Sequence, residues 1–325
     1  MILKKNTSFK PAWWLKNKHL QTLFPFFYPR KIKFSLFREK FTLSDGDLLI
    51  LDWSENRFED KPLLVLLPGL EGSSDSFYIK GMMQKSLKNG FRCVCLHFRG
   101  CITNDETAAK KTYHAGKTRD LDEFLEYLFK KEKEFLPIFI VGYSIGGNIL
   151  LKWLGENQTH SRIKAAVAVS VPFDLVQSSH QLNKGISRLY QWGILKSLRK
   201  KVKDKYQNNE IFSNITDLDR IKTIREFDNL ITVPMHGFLN VNDYYSQSSS
   251  KQYLNKIKNH TLIIHAADDP FLPEQAIPGV QEMSPYVNLE VLPNGGHMGF
   301  IEGNIPLVPK FYLERRIMRY FMYLK

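Results

Sequence analysis

Ser144 stands between Gly142 and Gly146 in IFIVGYSIGGN, from Ile138 to Asn148, directly after a run of apolar, partly β-branched residues. A serine hydroxyl is a poor nucleophile until a base takes its proton, and the base works best when a carboxylate fixes its tautomer. Both partners have candidates. His297 lies in NGGHMGF, flanked by Gly295, Gly296 and Gly299, and Asp268 and Asp269 open the segment DDPFLP. The order serine, acid, histidine is the one expected when a serine is presented at a strand-to-helix turn of a doubly wound sheet. Asp269 is preferred as the acid, because it begins a turn-forming DPFLP at a strand end. Asp268 is the alternative, and Asp174 is a remote third that better suits a helix cap. Acyl transfer also needs donors for the developing oxyanion, and backbone N–H groups serve best. By position these are Ile145, just after the serine, and Leu70 in LLPGLEGSS, where Gly69 and Gly72 permit close approach.

The pentapeptide alone is weak evidence, since a chain this long contains Gly-x-Ser-x-Gly by chance roughly one time in ten. The elements around it add the weight. A turn that exposes a serine needs a strand before it, a helix after it and glycines that relieve crowding. PIFIVGY reads as the strand, and Ile149, Leu150, Trp153 and Leu154 as the apolar stripe of the helix. LLILDW, LLVLL, RCVCLHF, IKAAVAVS, HTLIIHA and NLEVLP are further strands. DSFYIKGMMQKSLKNG reads as a helix closed by Gly90, and Leu121, Phe124, Leu125, Leu128 and Phe129 recur at helical spacing. A helix-compatible segment separates HTLIIHA from NLEVLP, and FYLERRIMRYFMYL closes the chain as a helix. This alternation predicts a mostly parallel, doubly wound α/β sheet with helices on both faces, in a single domain over residues 1–325. From about Asp174 to Asn259 the rhythm breaks into polar, aromatic and helical pieces, which predicts a cap or lid insertion after the sixth strand. The aspartates and His297 each follow a strand, on the same sheet edge as Ser144.

With 43% apolar and 13% aromatic residues, the chain is too hydrophobic to be disordered. Its net charge of +13 is scattered, and no nucleic-acid-binding motif accompanies it, so no nucleic-acid partner is expected. The densest basic run, LKSLRKKVKDKY from Leu195 to Tyr206, reads as a solvated helix face. Cys93, Cys95 and Cys101 are odd in number and lack a ligand-spaced Cys or His, which argues against both a disulfide framework and a metal site. No segment approaches eighteen consecutive apolar residues, and the basic start lacks an apolar stretch long enough for a signal peptide. A soluble, reducing, cytoplasmic setting is the expectation. PAWWLKNKHLQTLFPFF reads as an aromatic arm packed over the core, with His19 structural, and it leaves peripheral membrane contact open.

Taken in order, KHLQTLFP, PGLEGSSDSFYI, LHFRGC, GYSIGGNILLKWLGE, IREFDNLITVPMHGF, DDPFLP and GGHMGF resemble, nearly end to end, the YheT-like branch of the α/β-hydrolase superfamily. That branch includes bacterial predicted esterases, animal α/β-hydrolase-domain proteins acting on lipids, and yeast enzymes that make or cleave medium-chain fatty acid ethyl esters. The resemblance implies the α/β-hydrolase fold, a catalytic serine at Ser144, its acid in DDPF and most simply at Asp269, and its histidine at His297. It also implies a small-molecule ester or lipid substrate. The expectation is a serine esterase for short- to medium-chain acyl groups that needs no metal or organic cofactor. An acyltransferase passing the acyl group to an alcohol would use the same side chains. A non-catalytic binder of lipids or anionic surfaces, resting on the basic helix near Lys200 and the aromatic arm, is the remaining reading. Nothing in the pattern sets an oligomeric state.

Overall fold

The computed structural model describes residues 9–30, 33–101, 111–157, 161–206 and 218–325. The basic start, residues 1–8, and residues 207–217 of the expected insertion lie outside the described residues.

Strands β1 (Leu36–Thr42), β2 (Leu48–Ser54), β3 (Leu63–Leu67), β4 (Arg92–His97), β5 (Ile138–Tyr143), β6 (Ile163–Val169), β7 (Thr261–Ala266) and β8 (Val287–Leu292) form one sheet in the order β1-β2-β4-β3-β5-β6-β7-β8. The first two are antiparallel to their neighbours, and β4 through β8 pair in parallel. The mostly parallel sheet expected from the sequence is therefore present. The edge strand β1, LFREKFT, escaped that reading because its residues are half-buried or exposed and four of the seven are polar.

Helices α2 (Phe77–Leu87), α3 (Thr118–Lys131), α4 (Ile145–Asn157) and, at the far end, a carboxyl-terminal helix over Tyr312–Leu324 cover the sheet, and α1 (Lys18–Phe27) lies against the loop after β8. Successive side chains of a strand point to opposite faces, and both faces are packed. Leu64, Leu66, Phe139 and Val141 meet α2 and the carboxyl-terminal helix, whereas Leu63, Val65, Ile138 and Ile140 meet α3 and α4. Each fully buried leucine contributes about 1.5–3 kcal/mol by leaving water. On α3 the buried residues Leu121, Phe124, Leu125 and Leu128 form one stripe, with Asp120 in the first turn and Lys130 and Lys131 in the last, where each charge complements the helix dipole.

Two expectations need correction. The helix after β3 ends at Leu87, and Gly90, at φ +78°, closes the turn beyond it. The segment between β7 and β8 holds only short turns at Glu274–Ala276 and Val280–Glu282, because Pro270, Pro273 and Pro278 remove donors a longer helix would need.

Between β6 and β7 run α5 (Leu175–Leu182), α6 (Ser187–Tyr206), α7 (Ile224–Phe227), α8 (Val233–His236) and α9 (Val241–Ser248), with no strand among the described residues. The carboxyl-terminal helix is therefore α10. Asp174 caps α5, its Oδ1 accepting from the Gln177 N–H at 3.0 Å. Leu195, Val202, Ile221, Phe227, Ile231 and Met235 form a small core within these helices. Among the described residues no helix is long and apolar enough to cross a membrane.

Candidate active site

β5 delivers Ser144 to a sharp turn into α4, where its φ is +50°, in the left-handed region that non-glycine residues enter only when held there. The Ser144 N–H donates to Val169 O at 2.8 Å, and its carbonyl accepts from Asn148 N–H at 3.0 Å. The turn is too tight for side chains beside it. A Cβ on Gly142 would lie 2.5 Å from Gly146 O, and one on Gly146 would lie 2.3 Å from Pro68 O.

His297 reaches the same place from the loop after β8. Its ring Nε2 is 3.0 Å from Ser144 Oγ, and its Nδ1 is 2.9 and 3.2 Å from the two carboxylate oxygens of Asp269. Asp269 Oδ1 also accepts from the Phe271 N–H at 2.8 Å. The Phe271 ring stacks on the imidazole with centroids 4.0 Å apart and planes 8° from parallel. Ser144, His297 and Asp269 are 7%, 4% and 3% exposed, so bulk water screens these contacts little. With the carboxylate holding the proton on Nδ1, Nε2 presents a lone pair to the serine hydroxyl. That arrangement can take the serine proton as the oxygen attacks.

Asp268 does not touch the ring. Its Oδ1 accepts from the Gly296 N–H at 2.9 Å and so holds the loop that carries His297, while burial pushes its carboxyl above the ordinary range. Asp174 is occupied at the α5 cap. Leu70 and Ile145 line the same cavity as Ser144, and neither backbone N–H is engaged by a partner among the described residues. His19 bonds Tyr190 Oη through Nδ1 at 3.0 Å, joining α1 to α6. Cys93 and Cys95 are buried free thiols, and burial raises the Cys93 thiol to about 12.

Several residues that hold the site were not singled out from the sequence. The His297 N–H donates to Thr22 Oγ1 at 2.9 Å, and buried Gln21 bonds both the N–H and the carbonyl of Ile301. A Cβ on Gly296, at φ +59°, would lie 2.5 Å from Lys18 O, so the histidine loop lies directly against α1. Asn148 Nδ2 donates to Ala115 O and Ser248 O, and its Oδ1 accepts from the Ser250 N–H, tying the helix after Ser144 to the end of α9. The signal for Gln21 and Thr22 was present in KHLQTLFP, two polar residues set within an apolar helix.

The cavity at Ser144 has a volume of about 140 Å³, and its walls are mainly apolar. Leu175, Leu182, Leu198 and Phe227 from the helices between β6 and β7 form one side. Asp228 also lines it, accepting from Tyr245 Oη at 2.7 Å and Thr232 Oγ1 at 2.8 Å; burial raises its carboxyl pKa to about 6.

A sheet of this order, with the serine turn after its fifth strand and acid and histidine loops after its seventh and eighth, is that of the α/β hydrolases. Residues 62–304 match the α/β-hydrolase fold family. The chain belongs to that family, in the branch of YheT. It is 40% identical over 316 residues to YheT of Escherichia coli (strain K12), provisionally named an esterase, covering 96% of this chain and 92% of that protein. It is 30% identical over 311 residues to the phospholipase ABHD3 of Mus musculus, covering 92% of this chain and 74% of that one. Among solved structures, an esterase of Pyrococcus furiosus, Pf2001, superposes with a TM-score of 0.58 at 19% identity, over 91% of this chain and 98% of its own.

Proposed function

We propose that the protein is a serine hydrolase that cleaves carboxylic esters of short- to medium-chain acyl groups through a Ser-His-Asp triad and an acyl-enzyme. Ser144 Oγ attacks the ester carbonyl while His297 Nε2 takes its proton, and Asp269 steadies the imidazolium that results. The N–H groups of Leu70 and Ile145 receive the oxyanion. His297 then gives its proton to the departing alcohol, leaving the acyl group on Ser144. Water, deprotonated by His297, attacks that ester, and the acid leaves as Ser144 regains its proton. No step calls on a metal or an organic cofactor.

The observation that carries this reading is the continuous contact from Asp269 through His297 to Ser144 at the wall of an apolar cavity. The helices over 174–259 act as a cap whose leucines receive the acyl chain. Relatives named an esterase and a phospholipase support an ester or lipid substrate. Exposed Leu20, Phe26 and Phe27 on α1, beside exposed Leu189 and Trp192 on α6, favour peripheral contact with a lipid surface. Pelleting with anionic liposomes at low salt tests that contact, and failure to pellet ends it.

The test of the activity is hydrolysis of p-nitrophenyl esters across a chain-length series by wild type and folded Ser144→Ala. The expected result is turnover with an optimum along the series and a loss of about a thousandfold or more in the variant. Equal inertness of both would overturn the reading.

A further inference from the structure

The basic run on α6 is not uniformly a solvated face. Lys196, Lys200 and Lys203 are exposed, but the Lys201 side chain is only 7% exposed and turns inward to the Glu71 carboxylate, itself 17% exposed. Glu71 follows Leu70 in the turn closed by the Gly72 N–H on Gly69 O at 2.9 Å. It sits at φ +56°, at a turn position that normally takes Gly or Asn when φ is positive. Such a conformation persists only where its surroundings hold it. Here the hold is explicit. The Glu71 N–H donates to Tyr113 Oη at 2.9 Å, the Tyr113 hydroxyl donates to Glu71 Oε1 at 3.1 Å, and Lys201 Nζ caps that same oxygen. Burial opposes the charge on Lys201, but its neighbours Cys101 and Glu71 raise its pKa above the ordinary lysine value, so it remains a cation.

We propose that Lys201 is a positioning residue which, from the helices covering the site, locks the Glu71 turn and so sets the Leu70 N–H where the oxyanion forms. Without the ammonium, the Glu71 carboxylate is buried beside the Tyr113 phenol and the Cys101 thiol, with no cation to balance it, and the turn relaxes toward negative φ. That relaxation rotates the peptide between Leu70 and Glu71 away from Tyr113 Oη, opens the turn that the Gly72 N–H closes on Gly69 O, and so tilts the adjoining Gly69–Leu70 peptide that carries the donor N–H. Oxyanion binding is therefore complete only while α6 is seated, which couples cap position to chemistry. This inference rests on the hydrolase reading above and on Leu70 as a donor.

The experiment compares wild type, Lys201→Met, Lys201→Arg and the double variant Glu71→Gln/Lys201→Met on a p-nitrophenyl ester and its thiono counterpart. Sulfur is a poor acceptor, so the thionoester gains little from the oxyanion donors and serves as an internal reference. Lys201→Met is expected to lower kcat on the oxygen ester about ten- to a hundredfold with KM little changed, and to lower the thionoester rate much less. Lys201→Arg restores most of the loss. The double variant removes the stranded carboxylate, so its melting temperature returns toward wild type while kcat stays low. An unchanged ratio of oxygen ester to thionoester in Lys201→Met, or recovery of both stability and kcat in the double variant, would overturn the proposal. A wild type inert on both esters overturns the hydrolase reading, and this inference with it. A wild type whose turnover depends on Ser144 but not on Lys201 removes only the inference.

Discussion

Thr22 Oγ1 accepts a 2.9 Å hydrogen bond from the backbone N–H of His297, a residue 275 positions later in the chain. The same hydroxyl donates to Lys18 O at 2.8 Å, so α1 and the histidine loop share one anchor. The preceding residue, Gln21, spans Leu15 and Ile301 with its buried amide. An element near the start of the chain thus clamps the loop that must hold an imidazole between an acid and a serine.

Removing the anchor should loosen the base without removing it. Thr22→Val is expected to lower kcat about tenfold and stability by about 1–2 kcal/mol, because the His297 N–H is left without an acceptor. Thr22→Ser keeps the acceptor and is expected to behave like wild type. Steady-state kinetics with urea unfolding of both variants checks this, and equal kcat for the two would contradict it.

The neighbouring aspartates should separate cleanly. Asp269→Asn cannot hold the reactive tautomer of His297 and is expected to lose on the order of ten-thousandfold in kcat. Asp268→Asn retains an oxygen for the Gly296 N–H and should lose less than about tenfold. Comparable losses in the two variants would place the acid elsewhere.

Adding one methyl group at the serine turn should be severe. The Cβ of Gly146→Ala would lie 2.3 Å from Pro68 O and 2.5 Å from Leu67 O, both backbone atoms that cannot swing aside. A destabilisation of about 3 kcal/mol or more is expected, read from the urea midpoint. A variant as stable as wild type would mean the turn is looser than its contacts indicate.

Asp228 should make stability depend on pH in a stated direction. Its carboxyl holds a proton more tightly folded, at about 6, than unfolded, at 3.8. Its stabilising contribution is therefore fully present below the unfolded value and is lost as pH rises through about 6, to a limit of roughly 3 kcal/mol. Asp228→Asn does not ionise, so its melting temperature relative to wild type should climb between pH 4 and pH 7.5. A difference that stays constant over that range would contradict the burial of an ionising carboxylate there.

The elements that were legible in the sequence are those whose signal is local. Apolar runs such as LLVLL and PIFIVGY name buried parallel strands, and the stripe from Leu121 to Leu128 names a helix, because burial on both faces or one face writes its period into the chain. Ser144, Asp269 and His297 were legible because each sits where a strand stops. The edge strand β1 was not, since one exposed side needs no apolar residues. Thr22, Asn148, Phe271 and Lys201 were hidden for a different reason. Each acts through a partner distant in sequence or through a backbone atom, and Lys201 looks like its solvated neighbours until the fold turns it toward Glu71.

Whether Ser144 is the nucleophile is read most directly by stoichiometric labelling with a fluorophosphonate followed by mass-spectrometric location of the adduct. One phosphonyl group per chain is expected, on Ser144, with labelling abolished in Ser144→Ala and slowed at least about a thousandfold in His297→Ala. Absence of an adduct on Ser144 in the folded wild type, or undiminished labelling of the Ser144→Ala protein, would contradict a nucleophilic Ser144.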